Sequence, residues 1–228
     1  MFKKLATVTS VSFLALGLAA TSAQASTLLD FTSTAVQAAV QAPTSGQVAF
    51  AGTTATISTT GGALTWNPPQ DGSTCDGTAL ACELDGLGVR DDEISGGTQE
   101  SIRIDFGAAV TLDAIYFLDL FSQANGNGQE KALVSYDGGS MEFFSDANET
   151  PTGDSGYLFM ALLPRITTTW LSFMAPDYNP GDGLGRNDYS VAAISAVPLP
   201  AALPLYGAGL AVMGLVGWRR KRKEAQAA

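Results

Sequence analysis

Ser101-Ile102-Arg103-Ile104-Asp105-Phe106 alternates apolar with polar or charged residues without a break. Successive side chains of a β-strand point to opposite faces, so this hexapeptide reads as a strand with one dry and one wet side. Ile102, Ile104 and Phe106 are expected to face a core, and Arg103 and Asp105 to face water. Similar runs lie on both sides of it: Gln47–Ser58, Leu112–Phe121, Lys131–Tyr136, Met141–Phe144, Tyr157–Leu163, Thr168–Met174 and Tyr189–Ala196. They are rich in β-branched and aromatic residues, and Gly, Asp, Asn and Pro separate them. In Thr168–Phe173 either Trp170 or Leu171 should point inward. Tyr136–Met141 reads as a hairpin, with Asp137-Gly138 supplying the positive φ of the turn. Thr34–Gln41 has two readings, a short helix or an extension of an N-terminal strand. So many short strands predict an all-β fold, an antiparallel β-sandwich of jelly-roll-like type, over residues 26–196.

The ends read differently. Residues 1–25 form a secretory signal peptide: Lys3 and Lys4 supply the positive n-region, Val11–Ala20 the apolar stretch, and Ala23-Gln24-Ala25 the small-x-small cleavage site. The implied processing partner is signal peptidase. Residues 197–228 form a tail in which Pro198–Trp218 carries no charge, enough for a transmembrane helix at about 205–218. Arg219, Arg220, Lys221, Arg222 and Lys223 follow as a stop-transfer cluster. The positive-inside rule places them in the cytoplasm, membrane lipid around the span, and the domain on the far side.

Between Ser26 and Val197 the only basic residues are Arg90, Arg103, Lys131, Arg165 and Arg186, five against 21 acidic ones, a net charge of −16. Such a body repels phosphate backbones, which excludes nucleic acid as a partner, and it suits divalent cations. The chain contains no histidine. That removes Ser-His-Asp and Cys-His catalysis and every His-ligated metal, so no catalytic residue is assigned.

Cys75 and Cys82 lie close together in a Gly/Asp/Ser/Thr-rich stretch behind an export signal, and a short-loop disulfide is expected. Asp91, Asp92, Glu93 and Glu100 precede one strand and Asp188 precedes the last. If the corresponding loops meet, their oxygens suit a structural calcium. Trp66 and Tyr178 stand in loops and are candidates for stacking on sugar rings. The competing reading of Trp66 is packing against the Cys75–Cys82 loop.

The tail itself carries a resemblance. Val197-Pro198-Leu199-Pro200-Ala201, then the apolar span, then the arginine-rich end, resemble the VPLPA-CTERM sorting domain, a variant of the PEP-CTERM signal. The resemblance implies recognition by an exosortase, and a substrate that ends at the cell surface or in the exopolysaccharide matrix of a Gram-negative bacterium. Gly86–Val89, Asp92–Ile94, Glu100–Phe106 and Gly183–Val191 are similar to domains that precede such tails. The function expected from the whole is non-enzymatic: a surface-sorted β-sandwich associated with extracellular polysaccharide. The alternatives are a secreted glycan-acting hydrolase and a membrane-anchored periplasmic protein of structural role.

Overall fold

The computed structural model describes residues 27–40, 43–68, 75, 78–122, 128–148, 156–177 and 187–197, together with Leu210, Met213 and Gly214. The signal peptide, Pro198–Ala201, Arg219–Lys223 and Tyr178 lie outside the described residues. Among the described residues no helix is long and apolar enough to cross a membrane.

Among the described residues up to Val197, these elements follow one another: β1 (Thr27–Asp30), α1 (Thr34–Val40), β2 (Ser45–Phe50), β3 (Thr53–Thr60), β4 (Leu64–Thr65), β5 (Gly88–Val89), β6 (Ser101–Leu118), β7 (Lys131–Tyr136), β8 (Gly139–Phe144), β9 (Leu158–Met174) and β10 (Ser190–Val197). Every pairing is antiparallel. Apart from the small β4–β5 pair, the strands form one eight-stranded sheet in the order β1-β10-β6-β9-β7-β8, with β3 joined to β6 and β2 to β3.

Two strands make this sheet fold over on itself. The first half of β6 pairs with β3 and with the end of β9, through Arg103↔Ser172 and Asp105↔Trp170. Its second half pairs with β10 and with the beginning of β9, through Ile115↔Ile194 and Ile115↔Met160. Between these halves the register jumps from Asp105 to Val110, an insertion of the kind that turns a strand from one layer into another. Gly107, Ala108 and Ala109 stand exposed at this corner.

The layers then face each other. Phe117, on the second half of β6, has its ring 5.4 Å from that of Phe143 on β8 and 6.4 Å from that of Phe173 on the end of β9. Tyr189 closes the group, edge-on to Phe117 at 5.5 Å. The fully buried Ile102, Ile104, Leu171, Phe173, Ile194 and Leu112 belong to the same core. Ile102, Ile104 and Phe106 point inward as the alternation requires, and Leu171 is the inward residue of its pair with Trp170.

Several boundaries differ from the sequence reading. Gln47–Ser58 is a hairpin rather than a single strand, turning at Ala51 and Gly52, with φ of 50° and 81°. Two consecutive positive φ values match the twist of the flanking strands. Ser101–Phe106 and Leu112–Phe121 merge into β6, and Tyr157–Leu163 and Thr168–Met174 merge into β9. Thr34–Val40 is helical, Thr34–Gln41 having been left open between helix and strand. The Asp137-Gly138 turn exists, but the positive φ falls on the next residue, Gly139. Asp137 instead anchors the turn by accepting hydrogen bonds from the Thr169 amide (2.6 Å) and hydroxyl (2.7 Å).

Candidate functional site

The two outward faces of the folded sheet are unlike. On the second layer Leu118, Ala192 and Ala193 form a small apolar cluster with Cys75 and Leu80, and Leu28, Tyr116 and Tyr157 pack around it. The chain between the cysteines is therefore a cover. The expected Cys75–Cys82 disulfide is present, with its Cα atoms 5.8 Å apart. The turn after β1 fastens it: Asp30 accepts the Ala81 amide (2.6 Å), the Thr32 hydroxyl accepts the Cys82 amide (2.9 Å), and the Thr32 carbonyl accepts those of Glu83 and Leu84. Glu83 in turn accepts the Thr34 amide and hydroxyl at the start of α1, and these bonds hold its carboxyl below the usual carboxylate range.

The first layer carries no such cover among the described residues. Its outward side chains include Arg103 and Asp105 on β6 and Trp170 on β9. Arg103 makes a forked ion pair with Asp105, at 2.7 Å at its shortest, and its guanidinium lies over the Trp170 ring at 4.4 Å. A second cation–aromatic pair, Lys131 over Phe144 at 5.3 Å, stands on the β7–β8 side of the face, with Phe144 46% exposed.

One end of the sandwich carries the acids. The loop after β5, the chain after β6 and the chain before β10 bring Glu93, Asp119, Glu130 and Asp188 into mutual electrostatic contact. Burial, with repulsion from Asp188, Asp119, Asp92 and Asp91 added to it, pushes the Glu93 carboxyl up to about 9. Burial raises Glu130 to about 10, although the Phe121 amide, 2.7 Å away, favours its charged form. Glu130 and Asp188 share a hydrogen bond. Asp119 accepts from the Ser190 hydroxyl at 2.9 Å. Two glycines make these approaches possible: a Cβ on Gly88 would collide with the Asp92 backbone, and one on Gly156 with the backbone of Asp119 and Leu120.

The five acids proposed as calcium ligands therefore divide. Glu93 and Asp188 meet, and Asp91 and Asp92 add to the negative field at Glu93. Glu100 is 4% exposed and turns elsewhere, to the Ser95 amide at 2.9 Å and to Arg90 at 3.5 Å. Asp119 and Glu130 complete the group and were missed. Glu130 stands at the edge of an apolar run, where an acid reads as a solvated strand end, and Asp119 stands inside the run Leu112–Phe121, where it reads as one outward position of a strand. As the side chains stand, no three Cys, Asp or Glu among the described residues converge closely enough to hold a metal ion.

Trp66 follows β4 and packs against the main core rather than with the Cys75 cluster, and its indole N–H is buried without an acceptor among the described residues. Its side chain is half-buried, as that of Trp170 is. Two aromatics that were not among the stacking candidates also reach the surface of the first layer: Phe144, and Trp170, half-buried beneath the Arg103 guanidinium.

No protein-family model and no curated protein matches the chain. Among solved structures, it is similar to the CBM32 module of AlyQ in complex with 4,5-unsaturated mannuronic acid, at 14% identity and a TM-score of 0.29, over 58% of this chain and 92% of that one. A rhamnosidase from Klebsiella oxytoca with rhamnose bound is similar at 15% identity and a TM-score of 0.31, over 60% of this chain and 30% of that one. A module from Clostridium perfringens, CpGH89CBM32-5 in complex with GalNAc-β-1,3-galactose, is similar at 16% identity and a TM-score of 0.26, over 61% of this chain and 94% of that one. At these TM-scores the likenesses decide neither fold nor ligand.

Proposed function

We propose that the chain is an exported, surface-sorted β-sandwich of jelly-roll-like type that holds extracellular or biofilm-matrix polysaccharide without altering it chemically. The observation that carries this reading is the contrast between the two outer faces. One is covered over part of its area by the disulfide loop and shows Phe159 against Tyr116 beyond it, while the other has no cover among the described residues and presents Phe144, the half-buried Trp170 and paired charges to solvent. Aromatic surface offers the C–H faces of sugar rings a partner, and fixed charges and hydroxyls bond the sugar hydroxyls. A pull-down of the full-length chain in mild detergent, on exopolysaccharide from the producing cells, tests it. Retention is expected; passage of the chain straight through the matrix would end the proposal.

A structural calcium belongs to the same reading: Glu93 and Asp188, with Asp119 and Glu130, would draw together around it. Hard carboxylate oxygens suit the ion, which would take the place of the protons that burial now favours on Glu93 and Glu130. Millimolar calcium should raise the melting temperature relative to chelator, and by more at pH 8 than at pH 5, because protons compete for the same oxygens. Equal melting temperatures at pH 8 would dismiss the ion.

A hydrolase reading has one observation in its favour, the Glu130–Asp188 carboxyl pair with a raised Glu130. Glu130 is only 5% exposed, too enclosed to meet a glycosidic oxygen. Glycan hydrolysis that disappears in Glu130→Gln would favour it nonetheless.

A further inference from the structure

Register lines up one row of side chains across the whole first layer. Ser45 stands opposite Ser58, Ser58 opposite Arg103, Arg103 opposite Ser172, Ser172 opposite Ser135, and Ser135 opposite Ser140. Directly opposed residues share a face. This row therefore runs across β2, β3, β6, β9, β7 and β8, roughly 24 Å at the usual strand spacing. The one long side chain in it leaves it: the Arg103 guanidinium swings onto Asp105 and Trp170, in the neighbouring row. That row, Thr56↔Asp105↔Trp170, stands taller on one side, and Met174↔Leu133↔Glu142 stands taller on the other. Small hydroxyls thus make a straight, shallow trough across the strands, walled on one flank over β3, β6 and β9 and on the other over β9, β7 and β8.

Charge selects what lies in it. The body carries 21 acids against five bases, and on this face Arg103 and Lys131 offset Asp105 and Glu142 while Asp137, bonded to Trp170, adds a further acid at the edge. A polyanion meets a repulsive body around a floor with no excess of bases, whereas an uncharged polyhydroxylated chain meets serine hydroxyls and exposed apolar side chains such as Met174, 41% exposed. We propose that this trough is the binding site for an uncharged polysaccharide, lying extended across the strands. The inference rests on the polysaccharide reading above and deepens it, by fixing where the glycan sits and that it lacks uronate or sulfate groups.

Affinity electrophoresis of the full-length chain in non-ionic detergent tests it, in gels containing a neutral glucan, a galactomannan or a polyuronate. The parent chain should be retarded by a neutral polymer and not by the polyuronate. Ser172→Tyr and Ser135→Tyr each fill the trough at an outward strand position that tolerates an aromatic residue, and should weaken retardation tenfold or more. Ala161→Tyr, exposed on the other layer, should leave it unchanged, and equal melting temperatures establish that all three are folded. Neutral-glycan binding that survives both serine substitutions overturns the trough and leaves the polysaccharide reading standing, as does a preference for the polyuronate. A parent chain that dimerises without glycan, and is made monomeric by Ser172→Tyr, also overturns it, since the face would then pair two copies. No retardation in any gel overturns both proposals.

Discussion

Glu130 shows how a single buried carboxyl sets the response of the whole fold to pH. It is 5% exposed and its carboxyl is pushed up to about 10, chiefly by burial. The folded chain therefore keeps a proton that the unfolded chain releases near the ordinary carboxylate value. Stability is unaffected by this group below that value. It falls as pH rises between there and about 10, by up to roughly 1.4 kcal/mol per unit, and then levels off. Glu93, raised to about 9, adds a slope of the same sign over a slightly narrower window. Asp137 and Glu83, both lowered by hydrogen bonds to threonines, act the other way, withdrawing stability as pH drops through the ordinary carboxylate range. In chelator, the melting temperature should accordingly peak in mildly acid solution and decline towards pH 9. Glu130→Gln keeps the shape and removes the titration, so it should shrink that decline. A variant as pH-sensitive as the parent would show that the slope arises elsewhere.

At the scale of elements, the loop from Cys75 to Cys82 is where chemistry substitutes for packing. It covers the second layer through only a handful of side chains, Cys75, Leu80 and the residues beneath them. A crosslink over a sequence separation of 7 restricts the unfolded loop by about 2–3 kcal/mol in the chain-entropy account. Cys82→Ser should destabilise the fold by about that amount in denaturant titration, with an exposed Tyr116 as its local signature. A loss below about 0.5 kcal/mol would mean that the backbone bonds to Asp30 and Thr32 hold the cover unaided. This loop was legible in the sequence because two nearby cysteines, behind an expected export signal, read as a short-loop disulfide. The alternation of Ser101–Phe106 was legible for a similar reason: one local period decides which face is dry. The length of β6 was not, because the small residues Gly107-Ala108-Ala109 read as a break where the strand turns a corner between layers. Ala51-Gly52 hid a hairpin for the converse reason, a turn without Asn or Asp inside a continuous β-forming run. Trp170 and the serine row escaped because both are products of register between strands distant in sequence.

For the whole molecule, the pairing of the first and last strands ties the fold to the proposed sorting. Thr27 stands opposite Ala196, and Val197, the first residue of the VPLPA motif, stands opposite Thr111 on β6. The expected signal-peptide cleavage after Ala25 and the motif thus meet the body at the same rim, on neighbouring strands. This is the geometry required if both apolar segments enter one membrane. β10 lies between β1 and β6, bonded on both sides, and a peptidase needs an extended, unpaired segment to bind. Cutting before Val197 would require pulling a central strand out of the sheet. The mature C-terminus should therefore fall beyond Val197 and before Arg219, with β10 retained whole. Mass spectrometry of the surface-exposed protein measures this directly. A mature chain ending inside Ser190–Ala196 would mean that processing precedes folding, and an intact Arg219–Lys223 peptide on the surface protein would end the sorting proposal while leaving the sandwich and its trough untouched.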